Sequence, residues 1–123
     1  MTRYVIRAVH SGVKFDLRAA NGQTVATSEV YDTLAACRKG IESVMKNAPK
    51  AKVEDQTAEG VRPLTNPKFE LYQDKSGQYR FRLKARNGQI IAVSEGYTSK
   101  GSCADGIESV KANAAKAQVE HEI

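Results

Sequence analysis

Tryptophan is absent from this chain, and its 123 residues include only two cysteines, Cys37 and Cys103, and two histidines, His10 and His121. Two thiols cannot spell out a disulfide framework, and neither histidine falls in a cluster with ligand spacing, so no metal and no cofactor are expected. No histidine is paired with a nucleophile, so no catalytic constellation is visible and a non-enzymatic protein is expected. No stretch approaches the eighteen or so apolar residues of a membrane-spanning helix. The opening MTRYVIRAVHSG alternates apolar and polar residues where a secretory signal would have an unbroken apolar core, so a cytoplasmic protein is expected.

Composition is that of an ordinary soluble domain, 41% hydrophobic and 27% charged, and the length suits one compact core. Nineteen basic against fourteen acidic residues give a formal charge of +5, which favours polyanions at low salt without defining a site.

The chain is rich in self-similarity. Residues 37 to 54 read CRKGIESVMKNAPKAKVE and residues 103 to 120 read CADGIESVKANAAKAQVE, 66 positions apart. At the same offset Phe15, Leu17, Asn21, Gly22, Ser28, Glu29 and Tyr31 recur as Phe81, Leu83, Asn87, Gly88, Ser94, Glu95 and Tyr97. Upstream the offset drops by one, at a Ser-Gly turn where the second copy has an extra residue. Residues 56 to 67, QTAEGVRPLTNP, lack apolar periodicity and read as a linker, which divides the chain into repeats 1–55 and 68–123. Two copies are too few for a solenoid, so a pseudo-dimer in one chain is the better explanation.

Within each copy the periods change in order. Tyr79-Arg80-Phe81-Arg82-Leu83-Lys84-Ala85-Arg86 alternates strictly, with apolar residues on one face and cations on the other, as a strand does. Asn87-Gly88 and Asn21-Gly22 predict two-residue type I′ hairpins. That register sets Leu83 opposite Ala92 and Phe81 opposite Ser94 on the core side. On the outer side it sets Lys84 opposite Ile91, Arg82 opposite Val93, Arg80 opposite Glu95 and Lys14 opposite Glu29. After Tyr31 and Tyr97 the apolar spacing becomes three and four: Leu34, Cys37, Ile41, Val44, Ala48 and Cys103, Ile107, Val110, Ala114 predict amphipathic helices. Thr33 and Ser99 are the expected N-caps, and Pro49 closes the first helix. Short runs at residues 51–55 and 117–121 predict a last strand, so each unit is β-β-β-α-β and the class is α+β.

The string KFELYQDKSGQYRFRLKARNGQIIAVSEGYTSKGSCADGIESVKANA, residues 68 to 114, resembles the repeat of the YegP-like family of bacterial proteins of unknown function, and residues 3 to 54 resemble it more loosely. The resemblance implies two tandem β3-α-β repeats in one antiparallel sheet, with helices packed on one face and the last strands exchanged between repeats. It implies no activity, cofactor or substrate. The first copy departs from the pattern at Val30, where the second has Gly96, and at its shorter turn.

The candidate surface is the outer face carrying Arg80, Arg82, Lys84 and Arg86, with Tyr72 on the neighbouring strand, across which a nucleic-acid backbone or other polyanion could lie. The competing reading is a solvated face whose cations cover Ile91 and Val93 with their aliphatic stems and are partly neutralised by Glu70 and Glu95. The matching face of the first copy, with Lys14, Asp16 and Arg18, is barely basic. Two further readings are a protein-interaction module and small-molecule binding in a groove between the repeats near Tyr31 and Tyr97. Cys37 and Cys103 lie on apolar stripes, where cysteine behaves as a small hydrophobe, although pseudo-symmetry could bring the pair together for redox chemistry. Gly40 and Gly106 interrupt the helices at a cost of about 1 kcal/mol each, which suggests close approach of helix to sheet. Glu42 and Glu108 point away from the stripe. A monomer with internal pseudo-two-fold symmetry is expected, with any function residing where the copies differ.

Overall fold

Each copy of the duplicated sequence forms three strands, a helix and a fourth strand. A computed structural model describes residues 1–122. The first copy supplies β1 (Arg3–Val9), β2 (Gly12–Arg18), β3 (Thr24–Thr27), α1 (Leu34–Asn47) and β4 (Lys52–Asp55); the second supplies β5 (Lys68–Gln73), β6 (Tyr79–Lys84), β7 (Ile90–Ser94), α2 (Lys100–Asn113) and β8 (Gln118–Glu122). The eight strands form one sheet in the order β4-β5-β6-β7-β3-β2-β1-β8.

Exchange of the last strands makes that sheet mixed. β4 of the first repeat pairs with β5 of the second, and β8 pairs with β1, both in parallel. The six strands between them are antiparallel. The repeats meet where β3 pairs with β7. There Thr27 faces Val93, two residues equivalent in the repeat, so the pseudo-two-fold axis passes between them.

The period-2 residues do what their spacing requires. Tyr4, Ile6, Phe15, Leu17, Phe69, Leu71, Phe81 and Leu83 are buried on the helix side. Cys37, Ile41, Val44, Cys103, Ile107 and Val110 meet them from the helices. α1 packs on β2 and β7, and α2 on β5 and β6. Fully burying side chains of this size contributes about 1.5–3 kcal/mol each. A sixty-residue unit alone has few of them, so one shared core is the stabilising consequence of fusion. The Tyr4 hydroxyl donates to the Ala114 carbonyl at 2.8 Å, which fastens the end of α2 over the first repeat before β8 joins β1.

Thr33 and Ser99 cap their helices, accepting from the amides of Ala36 and Ser102. α1 ends at Asn47, and Pro49 lies in a following 3-10 turn over Ala48–Lys50.

The hairpins depart from the predicted type I′ turns. The Gly88 amide donates to the Ala85 carbonyl and the Ala85 amide to the Gln89 carbonyl, each at 2.9 Å. Only Gly88 has positive φ, at 87°, so the loop is a type I turn followed by a left-handed glycine with a bulge. Gly22 does the same in the first copy, at 84°. Arg82 still faces Val93 and Leu83 faces Ala92, but the register slips next and Lys84 faces Ile90 instead of Ile91. The slip turns Ile91 inward, where it is 6% exposed, and leaves Ile90 at 41%.

Candidate functional site

The outer face of β5 and β6 brings Tyr72, Arg80, Arg82 and Lys84 together as the alternation predicts, and supplies nearly every cation with a carboxylate. Arg82 Nε lies 2.6 Å from Glu70 Oε1, and Lys84 Nζ lies 3.4 Å from Glu70 Oε2. Arg80 Nε lies 2.7 Å from Asp74 Oδ2, so its partner is the turn aspartate and not the predicted Glu95, which is exposed. The Arg82 guanidinium sits 4.4 Å above the Tyr72 ring, so the aromatic face that would stack a base is already covered by an arginine. Lys14 and Glu29 are likewise not an ion pair among the described residues; the acid of the first half is Asp16, held by Arg7 and Arg18.

The exchanged strand adds a deeper layer to this network. Lys68, 7% exposed, reaches Glu54 of β4 at 2.8 Å and Glu70 at 3.3 Å. Residues 56–67 cross back over this face, where the Leu64 amide donates to Glu54 at 2.7 Å. Hydrogen bonds from Lys68 and Gln56 pull the Glu54 carboxyl down to about 2, more than offsetting the upward push of burial. Burial pushes Glu70 upward too, but hydrogen bonds from Arg82 and Lys68 outweigh it and the net shift is downward.

Arg86 parts company with the other three. It lies in the β6–β7 turn and, with Ala85 and Asn87, lines a cavity of about 350 Å³ against Lys39, Glu42, Ser43, Lys46 and Asn47 of α1. A second cavity of about 180 Å³ adjoins it, lined by Tyr31, Gly40, Gln89 and Ile90 among others. Together they form a groove between the repeats. Lys39, Lys46 and Arg86 are not within ion-pair distance of a carboxylate among the described residues.

The repeated Ser-Glu-x-Tyr motif is structural. Ser94 Oγ accepts from the Phe81 amide at 2.9 Å and donates to the Glu95 carbonyl at 2.8 Å; Ser28 repeats this with Phe15 and Glu29. The serine thus holds the ladder while Glu95 and Gly96 bulge out, and Tyr97 rejoins opposite Tyr79. Tyr31 and Tyr97 then lay their hydroxyls against Gly40 and Gly106, where a Cβ would collide with the phenol. The Val30/Gly96 difference and the one-residue insertion are one change: the extra side chain, Gln78, occupies the space at Gly96 that a Cβ would need.

Cys37 and Cys103 are both buried and free, and burial pushes the Cys37 thiol up and the Cys103 thiol to about 11. His10 is exposed, and His121 Nε2 lies 3.2 Å from Arg38 Nη2 on the surface. No group of three or more His, Cys, Asp or Glu residues that could hold a metal occurs among the described residues. No described helix is long and apolar enough to cross a membrane.

The family profile described as "Domain of unknown function (DUF1508)" matches residues 11–55 and 74–120, one match to each repeat. The chain belongs to the DUF1508 family. A DUF1508 relative, UPF0339 protein YegP of Escherichia coli O157:H7, is 38% identical over 103 residues, covering 84% of this chain and 80% of its own. The solution structure of E. coli yegP, a protein of unknown function, superposes with a TM-score of 0.80 at 31% identity, over 98% of this chain and 92% of that one. A UPF0339 protein of Methanosarcina acetivorans is 64% identical over 52 residues, 42% of this chain but 90% of its own length. One DUF1508 unit therefore accounts for nearly all of that protein, which supports duplication and fusion as the origin of the present sheet.

Proposed function

We propose that this chain is a non-catalytic binding module whose partner is anionic, a nucleic acid or another polyanion, and that recognition lies on the helix side of the sheet instead of the outer face. The observation that carries this reading is the division of charge. Carboxylates pair with the outer-face cations, whereas Lys39, Lys46 and Arg86 share one cavity with Glu42 and none of the three is within ion-pair distance of a carboxylate among the described residues. Exposed cations in excess over carboxylates attract phosphates by releasing counterions, and the attraction weakens steeply with salt. Titrating a labelled oligothymidylate at rising salt tests the reading. Three phosphate contacts give a slope of about −2 in log affinity against log salt. A salt-independent signal, or none at low salt, would remove it.

A protein partner is favoured by a different observation. β8 ends the sheet with every residue exposed, and Val119, Ile41 and Met45 line a cavity of about 350 Å³ beside it. An extended segment could add there as a further strand, its apolar side chains entering the cavity. Val119→Lys should then abolish capture of the partner while leaving oligonucleotide binding intact; loss of both would reject separate surfaces.

A further inference from the structure

We infer that the groove between α1 and the β6–β7 turn is a phosphoryl-binding site present once per chain, because the repeat preserves its frame in both halves and its charge in only one. The inference rests on the anionic-partner reading and narrows it to a ligand chemistry and a place.

The frame is visible residue by residue. On α1 the positions facing the turn are Lys39, Ser43, Lys46 and Asn47, spaced so that they share one helix face, and Gly40 continues that face into the adjoining cavity. Asn47 is 6% exposed, and its amide donates to the Ser43 carbonyl at 2.8 Å and hydroxyl at 3.1 Å, which fixes this wall. The opposite wall is the turn whose left-handed Gly88 sets the direction of Arg86 and Asn87. Sixty-six positions later or earlier the same residue types recur in the sequence as Gly106, Ser109, Asn113, Asn21 and Gly22. The Asn113 amide repeats the bond to the Ser109 carbonyl, at 2.9 Å.

The charges do not recur. Lys39 becomes Asp105, Lys46 becomes Ala112 and Arg86 becomes Ala20, while Glu42 stays acidic as Glu108. Lys39, Lys46 and Arg86 share the groove with two carboxylates, Glu42 and Glu29, whereas the equivalent positions hold three carboxylates, Asp105, Glu108 and Glu95, and no cation. Helix capping would explain Lys46 alone, since it sits in the last turn of α1 where a cation complements the macrodipole. It explains neither Lys39, two turns earlier, nor Arg86 on the facing hairpin. The helix end itself carries partial negative charge, so an anion here would be held by the side chains and not by the backbone.

The chemistry that fits is a phosphoryl group. Arg86 offers a planar fork of donors suited to paired oxygens, Lys39 and Lys46 offer mobile point charges, and Ser43 and Asn87 offer neutral donors. A volume of about 350 Å³ is at the small end for ligand sites, which suits a compact phosphorylated ligand or one phosphate of a strand.

Amide chemical-shift mapping with inorganic pyrophosphate and, separately, with a short oligothymidylate tests the inference. Expected are shifts confined to residues 36–47 and 85–91, lost with at least a tenfold weakening in Lys39→Asp/Lys46→Ala/Arg86→Ala, as removal of charge-assisted bonds predicts. Those substitutions install the residues already present at the equivalent positions 105, 112 and 20, and Lys46→Ala alone should show a partial loss if the triple variant folds poorly. Pyrophosphate binding in the groove without oligothymidylate binding supports the site and points to a small ligand. Oligothymidylate shifts on β5 and β6 instead overturn the site but leave the polyanion reading standing. Binding of neither probe overturns both.

Discussion

Replacing Gly40 with alanine should destabilise this protein, although the same change in an ordinary helix stabilises it. Alanine is favoured over glycine in a helix interior by about 1 kcal/mol. Here the new Cβ would lie 2.7 Å from the Tyr31 ring carbon that bears the hydroxyl and 3.2 Å from Phe15 Cε2. Neither ring can retreat easily, because Tyr31 and Phe15 are stacked with centroids 6.4 Å apart and Phe15 is buried against Tyr4. Overpacking of this kind costs about 1–3 kcal/mol, so the net effect is a loss of roughly 1 kcal/mol. Removing the obstruction reverses the sign: in a Tyr31→Ala background, Gly40→Ala should regain the helical preference and stabilise by about 1 kcal/mol. The coupling between the two positions is then about 2 kcal/mol, well above the error of urea denaturation curves. Gly106 with Tyr97 should behave alike, since the same contact recurs there. A Gly40→Ala protein more stable than the parent, with Tyr31 intact, would refute the reasoning.

Three other outcomes follow from the buried charges and thiols. Lys68→Met leaves Glu54 and Glu70 facing each other without their shared cation and should cost about 3–5 kcal/mol in urea denaturation; a near-neutral result would mean the pair is solvated. The carboxyls of Glu54, Glu70 and Asp16 are lower when folded than when unfolded, so their contribution is complete above the ordinary carboxylate value and is lost as pH falls through the folded ones. For Glu54 that window runs from its ordinary 4.5 down to about 2, and stability unchanged from pH 5 to pH 2 would contradict it. Neither Cys37 nor Cys103 should react with a thiol reagent at pH 8 until the chain is unfolded, since both are fully buried with raised pKa values; rapid labelling of native protein would overturn this.

The architecture was largely legible in local patterns. Alternation in residues 79–86, the three-and-four spacing from Leu34 to Ala48, and Thr33 and Ser99 as caps all depend on neighbours close in sequence. The hairpin register was misread because Asn-Gly suits two turn types. What selects between them is tertiary: the bulge sends Ile91 into the core, an advantage that dipeptide chemistry does not contain. The basic stripe and its neutralisation by Glu70 were legible in the alternation, but Asp74, which holds Arg80, comes from a turn and Glu54, which holds Lys68, from an exchanged strand. Lys39 and Lys46, on an exposed helix face, were not singled out at all. Their signal was available in the comparison of copies, where Lys39 aligns with Asp105 and Arg86 with Ala20 inside an otherwise repeated frame.

The central claim, that one frame written twice carries a phosphoryl site in only one half, is tested most directly by building the second site. Asp105→Lys, Ala112→Lys and Ala20→Arg together give the equivalent positions of the other helix and hairpin the cations of the first groove, where Ser109, Asn113 and Asn21 already match Ser43, Asn47 and Asn87. Calorimetric titration with pyrophosphate should then give a stoichiometry of two per chain, against one for the parent. A stoichiometry unchanged by the three substitutions, in a protein that retains its fold, would contradict the account.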